Sequence, residues 1–307
     1  MISTLGDLVV QLDGQAVTDF PTRKAKALLV YLAVERASLH RRESLFTLLW
    51  PGMPEKSARN NLRQTLYYLR KTIPKVGSSS DDVAQPLLVS DRDTVQINPA
   101  AELQVDLQHM DQLLEDVQTH DHLDLADCQG CVTKLEQAAD LYQGEFLAGF
   151  YLDDSSLFED WAEATRETYR QKTLETFANL ADICLEKGEY SQAQESAEKQ
   201  LKIDALRESA HRQLIEALAR SSHRARALRQ YRVCLNLLER ELGVTPSQET
   251  NALYERIRAE KVQPVEAVPK PPKAVPLPCL LYTSPSPRDM IPDLVCRLLL
   301  EKGGGGG

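Results

Sequence analysis

Residues 40–73 read HRRESLFTLLWPGMPEKSARNNLRQTLYYLRKTI, and the break in their middle decides the fold. Pro51-Gly52 closes a short apolar helix begun at Arg41. Pro54 opens a second helix that runs to Ile73, where Pro74 stops it. In the second helix Ala58, Leu62, Thr65, Leu66, Leu69 and Ile73 recur at three- and four-residue steps, one core-facing stripe. Lys56, Arg59, Asn60, Arg63, Tyr67 and Arg70 recur at the same steps on the other side. Upstream, Leu8–Leu12 is a short strand followed by the turn signal Asp13-Gly14. Arg23–Glu35 carries apolar residues at 25, 28, 29, 32 and 33, the stripe of an amphipathic helix. Downstream, Leu87–Val89 and Thr94–Ile97 flank SDRD as a hairpin. Strand, three helices and a closing hairpin is the order of a winged helix-turn-helix.

The polar side of the third helix has a chemistry of its own. Arg59, Asn60, Asn61 and Arg63 offer the donors that suit guanine and adenine edges in the major groove. Lys56, Arg70 and Lys71 suit phosphates, and Tyr67 lies between them. Such contacts add salt-dependent affinity without sequence information. Arg23, Lys24 and Lys26 could hold a second stretch of backbone, and Arg92 stands at the wing tip. A charged helix face is usually just solvated. Here it is rich in Arg and Lys and its single acid is Glu55, which favours a double-stranded DNA partner.

The segments TRKAKALLVYLAVE, HRRESLFTLLWPGMPEKSARNNLRQTLYYLRK and LLVSDRDTVQIN resemble the OmpR-like winged helix of the antibiotic-regulatory-protein (SARP) type of bacterial activators. The resemblance implies that the third helix enters the major groove through Arg59, Asn60, Asn61 and Arg63, and that Arg92 on the wing reaches the minor groove.

Residues 99–261 read as an all-α repeat. Leu180 and Leu214, Ala193 and Ala227, Ala197 and Tyr231, and Leu201 and Leu235 each stand 34 residues apart, the period of tetratricopeptide helix pairs. Gly188-Glu-Tyr190 matches the turn inside such a pair. Helices at 106–118, 132–143 and 157–176 would complete the stack, with Gln248–Glu260 as its cap. The stretches LYQGEFLAGFYLDDSSLFEDW and LERELGVTPSQETNALYERIRA resemble the bacterial transcriptional activator domain that follows the winged helix in the same family. That resemblance implies self-association and contact with RNA polymerase. The fold expected is mainly α: an α+β winged helix over 1–98, predicted to fold on its own core, then a tetratricopeptide-like domain over 99–261.

Composition agrees. Of 307 residues, 6% are aromatic and 14 are Gly, which favours helices over a large sandwich or barrel. The net charge of -9 hides a split. Residues 1–98 hold 13 Lys and Arg against 10 Asp and Glu, whereas 99–261 hold 18 against 31, so the two parts suit different partners. The longest apolar run, Ala27–Val34, cannot span a bilayer, and the N-terminus lacks a secretory pattern, so a cytoplasmic protein without a membrane partner is expected.

Signs of catalysis are weak. Gly144-EFLA-Gly149 has the glycine spacing of a phosphate loop, but Phe150-Tyr151 stand where Lys and Ser or Thr must grip phosphate and magnesium. The histidines are scattered, and Glu159, Asp160, Glu163 and Glu167 follow the spacing of a solvated helix face, so no enzyme is expected. Cys184 and Cys234 fall in apolar helical stretches as buried thiols. His120, His122, Cys128 and Cys131, as H-x-H-x5-C-x2-C, could close a structural zinc site, the one cofactor the sequence suggests, or form a metal-free polar loop.

Residues 262–278 are proline-rich and read as a linker. Cys279–Asp289, CLLYTSPSPRD, resembles a translated transposon-type sequencing adapter, in which TGT CTC TTA TAC ACA TCT encodes Cys279–Ser284, and Gly303–Gly307 resembles a poly-G read tail. Residues 279–307 are therefore expected to be an artefact, and a further domain to have followed the linker. The leading functional expectation is a sequence-specific DNA-binding activator. The alternatives are a protein-interaction scaffold without DNA binding and the N-terminal part of a larger signalling ATPase.

Overall fold

A computed structural model describes residues 1–12, 14–73, 86–121 and 124–259. His122, Asp13, Pro74, the linker and the adapter-like tail lie outside the described residues.

The chain opens with an antiparallel sheet of β1 (Ile2–Ser3), β2 (Val9–Leu12) and β3 (Gln15–Ala16), in that order. Gly14, at φ +78°, sits in the turn between β2 and β3, a conformation that favours glycine. Helix α1 (Arg23–Val34) is capped by the Thr22 hydroxyl, which accepts the Ala25 N–H at 3.1 Å. Next come β4 (His40–Arg41), α2 (Arg42–Leu49) and α3 (Glu55–Thr72). The wing is β5 (Leu88–Ser90) and β6 (Thr94–Ile97), and β4 pairs with its inner strand in the order β4-β6-β5. The sequence reading begins the second helix at Arg41. In the structure Arg41 is instead the last residue of a two-residue strand opposite Thr94, because wing pairing outweighs local helix preference.

The remaining helices are α4 (Asp106–Thr119), α5 (Gln129–Leu141), α6 (Ser156–Glu186), α7 (Tyr190–Ile203), α8 (Glu208–Arg220), α9 (Arg224–Leu242) and α10 (Gln248–Arg258). The expected helix 157–176 is thus the first part of one 31-residue helix. Its first half buries Phe158, Ala162 and Tyr169 in the core of the winged helix, and its second half buries Phe177, Leu180 and Ile183 against α5. The apolar stripe changes partner without a chain break, so the period alone did not reveal the continuity.

The 34-residue repeat is visible in the backbone. Gly188 after α6 has φ +75°, and Ser222 after α8, 34 positions on, has φ +66°. In each the next N–H returns to a carbonyl five residues back, Glu189 to Cys184 and His223 to Leu218, both at 2.8 Å. A serine in the left-handed region carries strain of about 1–2 kcal/mol, part of which glycine would give back as unfolded-chain entropy. Ser222→Gly is therefore expected to stabilise the chain by about 0.5–1 kcal/mol in urea denaturation. Gly188→Ala should destabilise it by a similar or larger amount. Cys184 and Cys234 are buried as expected, and burial pushes both thiols up to about 11.

The core expected to belong to residues 1–98 alone is shared. One buried cluster joins Ile2, Leu5, Leu28 and Leu45 to Leu107, Met110, Phe146 and Phe158. The boundary at residue 98 falls inside it. Residues 143–148 lie along Thr4–Asp7, with Gly6 N–H to Glu145 O at 3.0 Å, Leu147 N–H to Thr4 O at 2.8 Å and Ala148 N–H to Gly6 O at 2.9 Å. A Cβ on Gly144 would lie 3.3 Å from the Gly6 Cα, so the glycine of the loop-like GEFLAG stretch serves close backbone approach. The buried carboxylate of Asp106 accepts the N–H of Thr4, the Thr4 hydroxyl (2.7 Å) and the Leu5 N–H (2.7 Å). Ser155 Oγ donates to Leu49 O at 2.8 Å, and Trp161 Nε1 to Glu35 Oε1 at 3.0 Å. Among the described residues, no helix is long and apolar enough to cross a membrane.

Candidate nucleic-acid interface

Helix α3 has the two faces its spacing predicts. Ala58, Leu62, Thr65, Leu66, Leu69 and the C-cap Ile73 are buried; Lys56, Arg59, Asn60, Arg63, Tyr67 and Arg70 are exposed. Glu55 in the first turn and Arg70 and Lys71 in the last oppose the helix dipole with the favourable signs.

Between α2, α3 and the wing lies a cleft of about 630 Å³. Arg59, Asn60 and Arg63 line it from α3, and Arg92, Asp93 and Thr94 from the wing. Arg41 and Arg42 complete it, and neither was singled out in the sequence. The signal was the HRRE pair at the start of α2, whose place opposite Arg59 depends on the pairing of β4 with the wing. Five arginines thus face two acids, Glu43 and Asp93. Arg42 donates to Asp91 O at 3.0 Å and keeps its Nε buried without a hydrogen-bond partner. The Asp91 carboxylate accepts the N–H groups of Asp93 (2.8 Å) and Thr94 (2.7 Å), which holds it below the usual carboxylate range and shapes the tip that carries Arg92. Arg59 pairs with Glu55 one turn earlier, so its guanidinium is shared with an exposed acid. Arg70 donates to Ser90 Oγ on β5.

Other expected contacts are placed differently. Asn61 is half-buried and donates to Met53 Sδ at 3.2 Å, which turns its amide toward the preceding loop. Lys71 lines a separate cleft with Tyr68, Thr72 and residues of β3. Tyr67 is exposed and meets Tyr68 edge to face at 5.7 Å. Arg23 is exposed and lies over the Phe150 ring. Lys24 needs correction as a phosphate grip. Its side chain is 14% exposed and its ammonium is bound to Asp154 at 2.8 Å, so it ties α1 to the segment before α6. Spacing on α1 could not reveal that partner, 130 residues away. Elsewhere His120, Cys128 and Cys131 each place one ligand atom within 4.8 Å of the others, while His122 lies outside the described residues.

Residues 105–258 match the family described as the bacterial transcriptional activator domain. No curated protein sequence matches the chain. Among solved structures, the fold is similar to that of Mycobacterium tuberculosis EmbR in complex with a low-affinity phosphopeptide, with a TM-score of 0.64 and 22% identity. That match covers 87% of this chain and 66% of the other, so the chain spans less than two thirds of EmbR's length. The family match takes in half of the chain, from the buried Asp106 to the capping helix α10, and on that ground the protein belongs to the bacterial transcriptional activator domain family.

Proposed function

We propose that the protein is a sequence-specific DNA-binding transcriptional activator, with α3 in the major groove and the wing on the neighbouring minor groove. The observation that carries the reading is the meeting of Arg59, Asn60 and Arg63 with Arg41, Arg42 and Arg92 around one open cleft. Base-reading donors and backbone-gripping cations lie side by side, as groove recognition requires. Residues 99–261 carry 31 acids against 18 cations, so their contribution to DNA affinity comes through self-association, which makes a second half-site contact effectively intramolecular. The same helices offer RNA polymerase a docking surface.

Gel-shift titration of the full chain against a selected operator tests the reading. Arg59→Ala or Arg63→Ala should each weaken binding by about 1–3 kcal/mol and relax one base position. Arg92→Ala should weaken binding to all sequences and lower the salt slope by about one. Unchanged affinity in the Arg59→Ala, Arg63→Ala double variant would leave the scaffold reading in its place.

A further inference from the structure

We infer that His120, Cys128 and Cys131 bind a structural zinc ion that ties the end of α4 to the start of α5. The inference is independent of DNA binding. His120 is the C-cap of α4, Cys128 the N-cap of α5, and Cys131 lies in the first turn of α5. Two helix ends therefore converge on three donor atoms. His120 Nδ1 lies 3.5 Å from Cys128 Sγ and 3.2 Å from Cys131 Sγ. With Zn–S and Zn–N bonds of about 2.3 and 2.0–2.1 Å, a tetrahedral centre places such atoms about 3.6 Å apart. The cluster is thus close to ligating geometry, and a small outward movement would admit the ion.

The donor set narrows the metal. Two thiolates and an imidazole suit zinc and disfavour magnesium and calcium, which take oxygen ligands. Metal binding would release the thiol protons to solvent. The fourth tetrahedral position is left to a further donor.

The surroundings suit a structural rather than a catalytic ion. Cys131 is buried with Val117, Val132, Leu135 and Leu180, and Cys128 packs at the edge of the same cluster. Across the same helix pair Lys134 binds Asp116 at 2.7 Å. The ion would close the α4–α5 connection where this small core meets solvent. α4 in turn supports the winged helix, since Gln108 donates to Ala33 O at 2.9 Å.

The full chain, produced in zinc-supplemented medium and purified without chelator, tests this by elemental analysis and cobalt substitution. The expected content is about one zinc per chain, with cobalt giving the visible bands of a tetrahedral thiolate site. Cys128→Ser and His120→Asn, both at positions outside the buried core, should each lower the content at least fivefold while circular dichroism stays helical. Cys279→Ser with Cys296→Ser should leave it unchanged. A metal-free chain with both thiols open to alkylation, a Cys128–Cys131 disulfide found by mass spectrometry, or zinc lost with the tail cysteines would each overturn the inference.

Discussion

Asp106→Ala is expected to destabilise the chain by about 4 kcal/mol, since each buried donor left unpaired costs about 1–3 kcal/mol. The carboxylate holds the N–H groups of Thr4 and Leu5 and the Thr4 hydroxyl, and both residues are buried. Removing it leaves the buried N–H groups of Thr4 and Leu5 without their acceptor. In a domain of this size the midpoint of thermal unfolding should fall by roughly 10 °C. Thr4→Val loses one hydroxyl bond and should cost about 1 kcal/mol. Urea denaturation of the two variants separates them. A loss below about 1 kcal/mol for Asp106→Ala would mean that the segment pairing, not the carboxylate, holds the N-terminal strand.

The second large effect concerns the head in isolation. A fragment of residues 1–98 is expected to melt broadly, bind a hydrophobic dye and lack a cooperative transition, in contrast to the full chain. Cutting there removes Leu107, Met110, Phe146, Leu152 and Phe158 from the shared core and uncovers the side chains beneath them. It also removes Trp161, which meets Tyr31 edge to face at 5.0 Å, and the acceptor for Lys24. Each uncovered large apolar side chain forfeits about 1.5–3 kcal/mol. Four or five of them approach the roughly 5–15 kcal/mol that keeps a domain folded. Calorimetry of the fragment beside the full chain decides the matter. A sharp two-state transition for 1–98 would show that its helices and wing form a sufficient core, as the sequence alone predicts.

Elements defined by their own periodicity could be read directly. The buried and exposed faces of α3 follow from the three- and four-residue steps of Ala58, Leu62, Leu66 and Leu69 against Arg59, Arg63 and Arg70. The wing follows from alternation about a polar turn, and the helix pairs from the 34-residue recurrence that ends at Gly188 and Ser222. Each is local, because side-chain direction is set by backbone geometry within a few residues. The candidate interface was visible to the same extent: Arg59, Asn60, Arg63 and Arg92 were readable, and Arg41 and Arg42 were not.

What escaped the reading depends on contacts distant in sequence. Lys24 carries the composition of a phosphate grip, and its pairing with Asp154 makes it a tie within the fold. His40 and Arg41 show no strand pattern and become one by pairing with Val95 and Thr94. The sequence already spoke against a phosphate loop at GEFLAG, but the use of Gly144 for close approach to Gly6 was not visible in it. By itself the sequence determined the winged helix, the helical repeat and the cationic face of α3, because burial and charge alternate there with the period of the backbone. The tertiary structure decided that winged helix and repeat share one core and which arginines meet across the cleft. Those outcomes require chain segments as far apart as Leu5 and Phe146 to close on one another, and no local period encodes which surfaces will meet.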